Sequence, residues 1–268
     1  MSVAFRRESD EDAVRSEATD HLHALTSPLL PYALEQFDVL AHFRWTDGTA
    51  THISAAVPDE HGAFLINPHG MLFDEVTASS LVKIDLDGNI LLDTGWPVNK
   101  AGFVIHSAIH KAREDIVCVI HTHTRAGVAV SAQKQGLLPI SQQSTLVLAS
   151  LGYHDYEGIA VRPDEEPRLQ ASLGQNKYLI LRNHGLLTVG KTVADAFLSM
   201  YTLEVSCQIQ AMAQAGGAEL IQLDPSMIAI NAQVGNSTIQ GAKPIEIPDL
   251  VWPSLLRRLD RMDPSYKT

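Results

Sequence analysis

The sequence predicts an α/β domain, and three observations carry that expectation. Residues 117–120 form an apolar, β-branched run that ends on His121-Thr122-His123, the signature of a buried strand with a polar end. Residues 177–181 repeat the pattern and end on Arg182-Asn183-His184-Gly185. Between and beyond these strands, residues 103–113 and 193–214 space their apolar side chains at helical period. At 268 residues and 45% apolar content, the chain can bury the core of one large domain with extensions.

Taken in order, residues 1–25 are polar and charged and are expected to form a loosely attached arm, set off by Ser27-Pro28 and Pro31. Residues 32–45 predict a helix ending before the turn Thr46-Asp47-Gly48. Strands follow at 51–57 and 63–67, then a loop at Pro68-His69-Gly70-Met71. Residues 74–81 suggest a short capped helix, and a strand at 82–85 leads to the turn Asp87-Gly88-Asn89. Helices at 103–113 and 126–133 bracket the His121 strand. Residues 137–140 predict a short strand and 143–150 a short apolar element. Strands at 159–161 and 178–181 enclose a helix at 168–173. The long helix at 193–214 stops at Gly216-Gly217. The domain is thus placed at 26–217. Residues 218–268 read as an extended tail ending in a short helix, 252–262, whose stripe of Leu255, Leu256, Leu259 and Met262 would dock on the domain's own core or on a neighbouring subunit.

Alternation along a strand puts His121 and His123 on one face above Val117 and Val119, with Cys118, Ile120 and Thr122 opposite. Two imidazoles side by side suit a divalent metal, and a catalytic zinc takes three protein ligands. His184, at the second strand end, supplies the third, with Gly185 allowing a sharp turn and a close approach. His21, His23, His42 and His61 share no such pattern.

The formal charge of −11 argues against general nucleic-acid binding. No apolar run reaches 18 residues, so no membrane-spanning helix is expected. The first ten residues lack the apolar centre of a signal peptide, and Cys118 and Cys207 suggest neither a disulfide framework nor a cysteine zinc site. A cytoplasmic setting is expected.

With these motifs in view, His121-Thr122-His123 and Arg182-Asn183-His184-Gly185-Leu186 resemble the class II aldolase/adducin family over roughly residues 34–217. The adducin head-like branch is the nearest likeness, through Phe64-Leu65-Ile66-Asn67-Pro68-His69-Gly70, residues 76–84, Asn99-Lys100-Ala101-Gly102-Phe103, Leu137-Leu138-Pro139-Ile140-Ser141 and Tyr153-His154-Asp155-Tyr156. The resemblance implies a three-layer α/β/α sandwich around a mostly antiparallel central sheet, commonly a homotetramer. It implies a zinc held by His121, His123 and His184. The implied reaction is carbon–carbon lysis, or related epimerase or decarboxylase chemistry, on a small hydroxy-carbonyl compound. Two features depart from the catalytic members. Their glutamate four residues before the histidine aligned with His106 is Gly102 here, and their phosphate cradle is replaced by Thr51-His52, His69-Gly70 and Lys100-Ala101. His52, His69 and His154 become the candidates for proton transfer, with Lys100 and Asp155 as further polar groups, because a histidine titrates near neutrality. His106 and His110 are expected to pack beneath the strand. The alternative is a non-catalytic, adducin-head-like binding module that keeps the metal site.

Overall fold

A computed structural model describes residues 37–235 and 247–262. Its strands are β1 (His52–Ala56), β2 (Ala63–Ile66), β3 (Val82–Asp85), β4 (Ile90–Leu92), β5 (Cys118–Thr122), β6 (Leu151–His154), β7 (Tyr178–Leu181) and β8 (Gly185–Gly190). They form one sheet in the order β4-β3-β2-β1-β5-β8-β7-β6, antiparallel throughout except where β6 runs parallel to β7. The helices are α1 (Lys100–Ala112), α2 (Arg125–Ser131), α3 (Gln142–Leu148), α4 (Glu166–Leu173), α5 (Val193–Ala215), α6 (Ser226–Gly235) and α7 (Ile247–Met262).

Strand alternation sorts the apolar residues into two cores. Ile53, Cys118, Ile120, Ile180 and Leu186 pack with Phe197, Met200 and Leu203 of α5 on one face. Val119, Leu179, Leu181, Leu187 and Val189 pack on the other with Ile105 and Ile109 of α1 and Leu169 and Leu173 of α4. Helices therefore cover both faces, giving the expected three-layer sandwich. Each fully buried leucine, isoleucine or phenylalanine contributes about 1.5–3 kcal/mol to that assembly. His121 shares the parity of Val119, so its ring emerges on the face that α1 covers.

Several local expectations need correction. Residues 137–140 form no strand: Pro139 has no N–H, and side chains take the neighbouring donors, Tyr153 Oη accepting from Leu137 N at 3.0 Å and Gln210 Oε1 from Leu138 N at 2.7 Å. Residues 159–161 form none either, because Ile159 is 74% exposed and Val161 N–H closes a tight turn on Ile159 O. The edge strand beside β7 is β6, whose residues pair with it in register Leu151↔Tyr178 to His154↔Leu181. Strands β4, β6 and β8 had no counterpart in the sequence reading. The capped helix at 74–81 is two 3-10 turns, Phe73–Glu75 and Ala78–Ser80. The predicted 32–45 helix is helical at 37–42 within the described residues, and Arg44 at φ 57° turns the chain.

The C-terminal segment holds two helices rather than one. In α6, Asn231 Nδ2 donates to Thr145 Oγ1 of α3 at 2.8 Å. In α7, Trp252 packs on Phe197 with ring centroids 5.3 Å apart, and Leu255, Leu256 and Leu259 join the same core while Met262 remains exposed. The stripe docks on its own domain. The predicted arm at 1–25 lies outside the described residues. Among those described, no helix is long and apolar enough to cross a membrane.

Candidate metal centre

The centre forms where β5 ends between β1 and β8. His121, 1% exposed, has Nδ1 at 2.9 Å from the carbonyl oxygen of Leu186 on β8. A carbonyl only accepts, so Nδ1 carries the proton and Nε2 keeps its lone pair. His123 stands one residue beyond β5, and its Nδ1 lies 3.3 Å from Asp47 Oδ2, which assigns the same tautomer. The two free Nε2 atoms nevertheless lie 2.8 Å apart, and His123 Nε2 is 2.9 Å from His184 Nε2. Two lone pairs do not face each other at that distance without a cation or proton between them. The three ligand atoms lie within 4.8 Å of one another, so one cation can take all three.

Two backbone features bring His184 there. Asn183 adopts φ 56°, so it, rather than the predicted glycine, makes the left-handed turn after β7. Gly185 serves the close approach instead: a Cβ there would lie 2.4 Å from Thr122 O and 3.1 Å from His123 Cδ2. Any larger residue would push β8 from β5 and His184 from the cluster.

The electrostatics suit metal ligation. Burial, and then the neighbouring imidazoles, hold His121 well below the usual histidine range. Burial lowers His184 to about 4, with His123 and His154 adding to the effect. Burial also lowers His123, although Asp47 opposes it. All three are neutral at pH 7, the state a ligand requires.

His52 sits directly across from His121 in the β1–β5 register, with the rings stacked at 6.1 Å and 15°. It is 4% exposed, and neither ring nitrogen has a hydrogen-bond partner among the described residues. Burial lowers its pKa to about 3, and His123, His69 and His184 add to the shift. Its place is opened by Gly102 of α1. A Cβ at residue 102 would lie 2.7 Å from His52 Cγ and Cδ2 and 2.9 Å from Nδ1. The imidazole therefore fills the space into which a side chain at position 102 would project.

The other candidates are placed differently. His69 is exposed at the rim, where Asn99 Nδ2 approaches its Nδ1 at 3.4 Å. His154 is buried and engaged at both nitrogens, by Ser172 Oγ at 3.0 Å and Glu165 Oε1 at 3.3 Å, which ties β6 to the α4 region. Lys100 is the exposed first residue of α1, and Asp155 lies in the loop after β6. His106 and His110 lie beneath the sheet as expected, both on Ser54 Oγ, at 2.6 and 2.9 Å.

Sequence reasoning missed Asp47, seen only as a turn residue, and Glu204. Buried Glu204 accepts a short hydrogen bond from Thr124 Oγ1, holding the segment after His123 against α5, and burial raises its pKa.

A doubly covered, mostly antiparallel sheet with three imidazoles converging at its centre defines a class of protein, and comparison gives that class its family. The family described as Class II Aldolase and Adducin N-terminal domain matches residues 34–211, and the chain belongs to it. A Pseudomonas aeruginosa protein named for aldolase class 2 is 52% identical over 231 residues, covering 86% of this chain and 88% of its own. Alpha-adducin of Rattus norvegicus is 44% identical over 236 residues, covering 84% of this chain but 32% of the longer adducin. The solved L-fuculose 1-phosphate aldolase from Glaciozyma antarctica superposes with a TM-score of 0.77 at 26% identity, over 92% of this chain and 98% of that one.

Proposed function

We propose that the chain is a divalent-metal-dependent enzyme, with zinc as the metal, acting on a small hydroxy-carbonyl compound as a carbon–carbon lyase or a related epimerase or decarboxylase. The observation that supports this most is the pair of Nδ1-anchored imidazoles, His121 and His123, aiming unprotonated Nε2 atoms at each other and at His184. When bound there, zinc would supply a Lewis acid against developing oxyanion charge. The chain's own residues do the rest. Leu186 O and Asp47 fix the ligand tautomers, and the burial of His121 and His52 keeps bulk water from their rings. His52, with no partner at either ring nitrogen among the described residues, is the proton-handling candidate nearest the cluster, ahead of rim-exposed His69 and engaged His154. Burial nevertheless takes its pKa to about 3, away from the near-neutral value that suits a base at pH 7. The protein would work in the cytoplasm as a homo-oligomer, a tetramer by family likeness.

A second reading, a binding module of the adducin type, is favoured by one observation. Gly102 brings no carboxylate to the centre, and the carboxylate beside the ligands, Asp47, is 3.3 Å from His123 Nδ1.

Two measurements test and separate these readings. Metal analysis after zinc exposure should find about one ion per chain in the wild type and almost none in His123→Ala; equal, near-zero content in both overturns the metal reading. Turnover of fuculose- and ribulose-type phosphates by zinc-loaded protein should fall about two to four orders of magnitude below ordinary enzymes, for want of a carboxylate at 102. A rate within about tenfold of the enzyme median of roughly 10 per second would make those compounds the substrates and sink the binding-module reading.

A further inference from the structure

Beside His184 the chain places a cation with no carboxylate at ion-pair distance among the described residues. Arg182 is half-buried, its guanidinium carbon 4.2 Å over the centre of the Tyr153 ring, with Nη1 donating to Gln133 O at 2.7 Å. These contacts hold the planar fork in one orientation before any ligand arrives. Arg113, Arg162 and Arg168 each meet a carboxylate, whereas Arg182 meets none at ion-pair distance among the described residues. The fork lies along an open, solvent-facing cavity of about 600 Å³ that Lys134, Asp155, Tyr156 and Asn183 also line. Arg182, Asp155 and Tyr156 also line a small adjoining pocket that includes His184, and the Tyr156 ring lies 6.5 Å from that of His184. Two cationic side chains face one carboxylate, Asp155, so the cavity carries a net positive charge. Its size suits a small molecule.

We propose that this cavity is an anion site, in which Arg182 and Lys134 receive a carboxylate or phosphate group carried by the compound that the neighbouring centre handles. A planar guanidinium fixed by stacking presents two parallel N–H donors, the geometry that carboxylate and phosphate oxygens accept. The substrate is then a hydroxy-carbonyl compound with an anionic end, the carbonyl end toward His184 and the anionic end toward Arg182. The word "substrate" rests on the metal reading above. The anion site rests on Arg182 and its cavity alone.

The test is calorimetric titration of the full chain with inorganic phosphate and, separately, with acetate, each with and without zinc. The wild type should bind at least one of these anions even when metal-free. Arg182→Gln should weaken that binding roughly tenfold or more, and Lys134→Gln by a few-fold. Preference for phosphate or for acetate names the anionic group, and either supports the site. No anion binding by the wild type, or an Arg182→Gln affinity within twofold of it, overturns the inference. Should Arg182→Gln lose its folded circular dichroism, exposed Lys134 decides, and an unchanged affinity in Lys134→Gln overturns it. Zinc binding without Arg182-dependent anion binding removes this inference only. Anion binding without zinc binding removes the metal reading only.

Discussion

Adding one methyl group at residue 102 should expose how His52 is held. In Gly102→Ala the new Cβ would lie 2.7 Å from His52 Cγ and Cδ2, about 1 Å inside ordinary carbon–carbon contact. The ring has no easy retreat. Its other face stacks on His121, which Leu186 O pins through Nδ1, and its edge meets His106 at a centroid distance of 6.0 Å. Overpacking of this kind costs about 1–3 kcal/mol. Against that, alanine gains up to about 1 kcal/mol over glycine within a helix, and less here because residue 102 lies in the first turn of α1. The net loss should be about 1–2 kcal/mol, a fall in melting temperature of about 2–8 °C for a domain of this size. In a His52→Ala background the space is open, so the same change should be neutral or stabilising by up to about 1 kcal/mol. The assay is urea unfolding of the four metal-free proteins followed by circular dichroism. If Gly102→Ala costs the same in both backgrounds to within about 0.5 kcal/mol, the residues are not coupled and the reasoning fails.

Two further outcomes follow from the described residues and the family. Burial lowers His52 to about 3 and His110 to about 4 from an unfolded value of 6.5. Between those limits the unfolded chain binds more protons than the folded one, so stability falls as pH drops below about 6.5 and levels off near the folded values. Each group should remove up to about 1.4 kcal/mol per pH unit in that window, and a metal-free protein equally stable to urea at pH 7 and pH 4 would contradict this. Light scattering should give a mass several times the 29.2 kDa of one chain. A monomer at micromolar concentration would remove the tetramer, which now stands on family likeness alone because the α7 stripe is spent on its own core.

The three metal-ligand candidates were legible because strand periodicity is local. Alternation alone placed His121 and His123 on the face opposite Ile120, and a repeated strand ending pointed to His184. The cores were legible for the same reason. Residues 137–140 and 159–161 have strand-like composition yet form loops, since side chains of Tyr153 and Gln210 satisfy the first and solvent exposure decides the second. Strand β8 was hidden behind its opening glycine, which reads as a turn but serves close packing of two backbones. Asp47 carries no signal in the sequence, because its partner is His123, 76 residues away. Arg182 was visible as a residue, but what distinguishes it is its stacking on Tyr153 beside His184 with no carboxylate at ion-pair distance among the described residues, a property of surroundings rather than of pattern.

Gly102 and His52 show how two departures seen separately in a sequence can be one event in space. The glycine reads as the loss of a carboxylate, and the histidine as an unrelated change 50 positions earlier. In the fold they meet, for the ring lies where a Cβ at 102 would have to go. A glutamate could not be restored at 102 without moving His52, and moving His52 would disturb the ring stacked on His121. The centre therefore holds at this place a rigid imidazole that burial keeps neutral. A carboxylate near metal ligands adds negative charge and holds a cation more tightly. A neutral imidazole adds none, and it offers one N–H donor and one lone pair, both without a partner among the described residues. On the function proposed above, a proton handled by His52 would be given or accepted at one of two fixed nitrogens, unlike one handled by a flexible carboxylate.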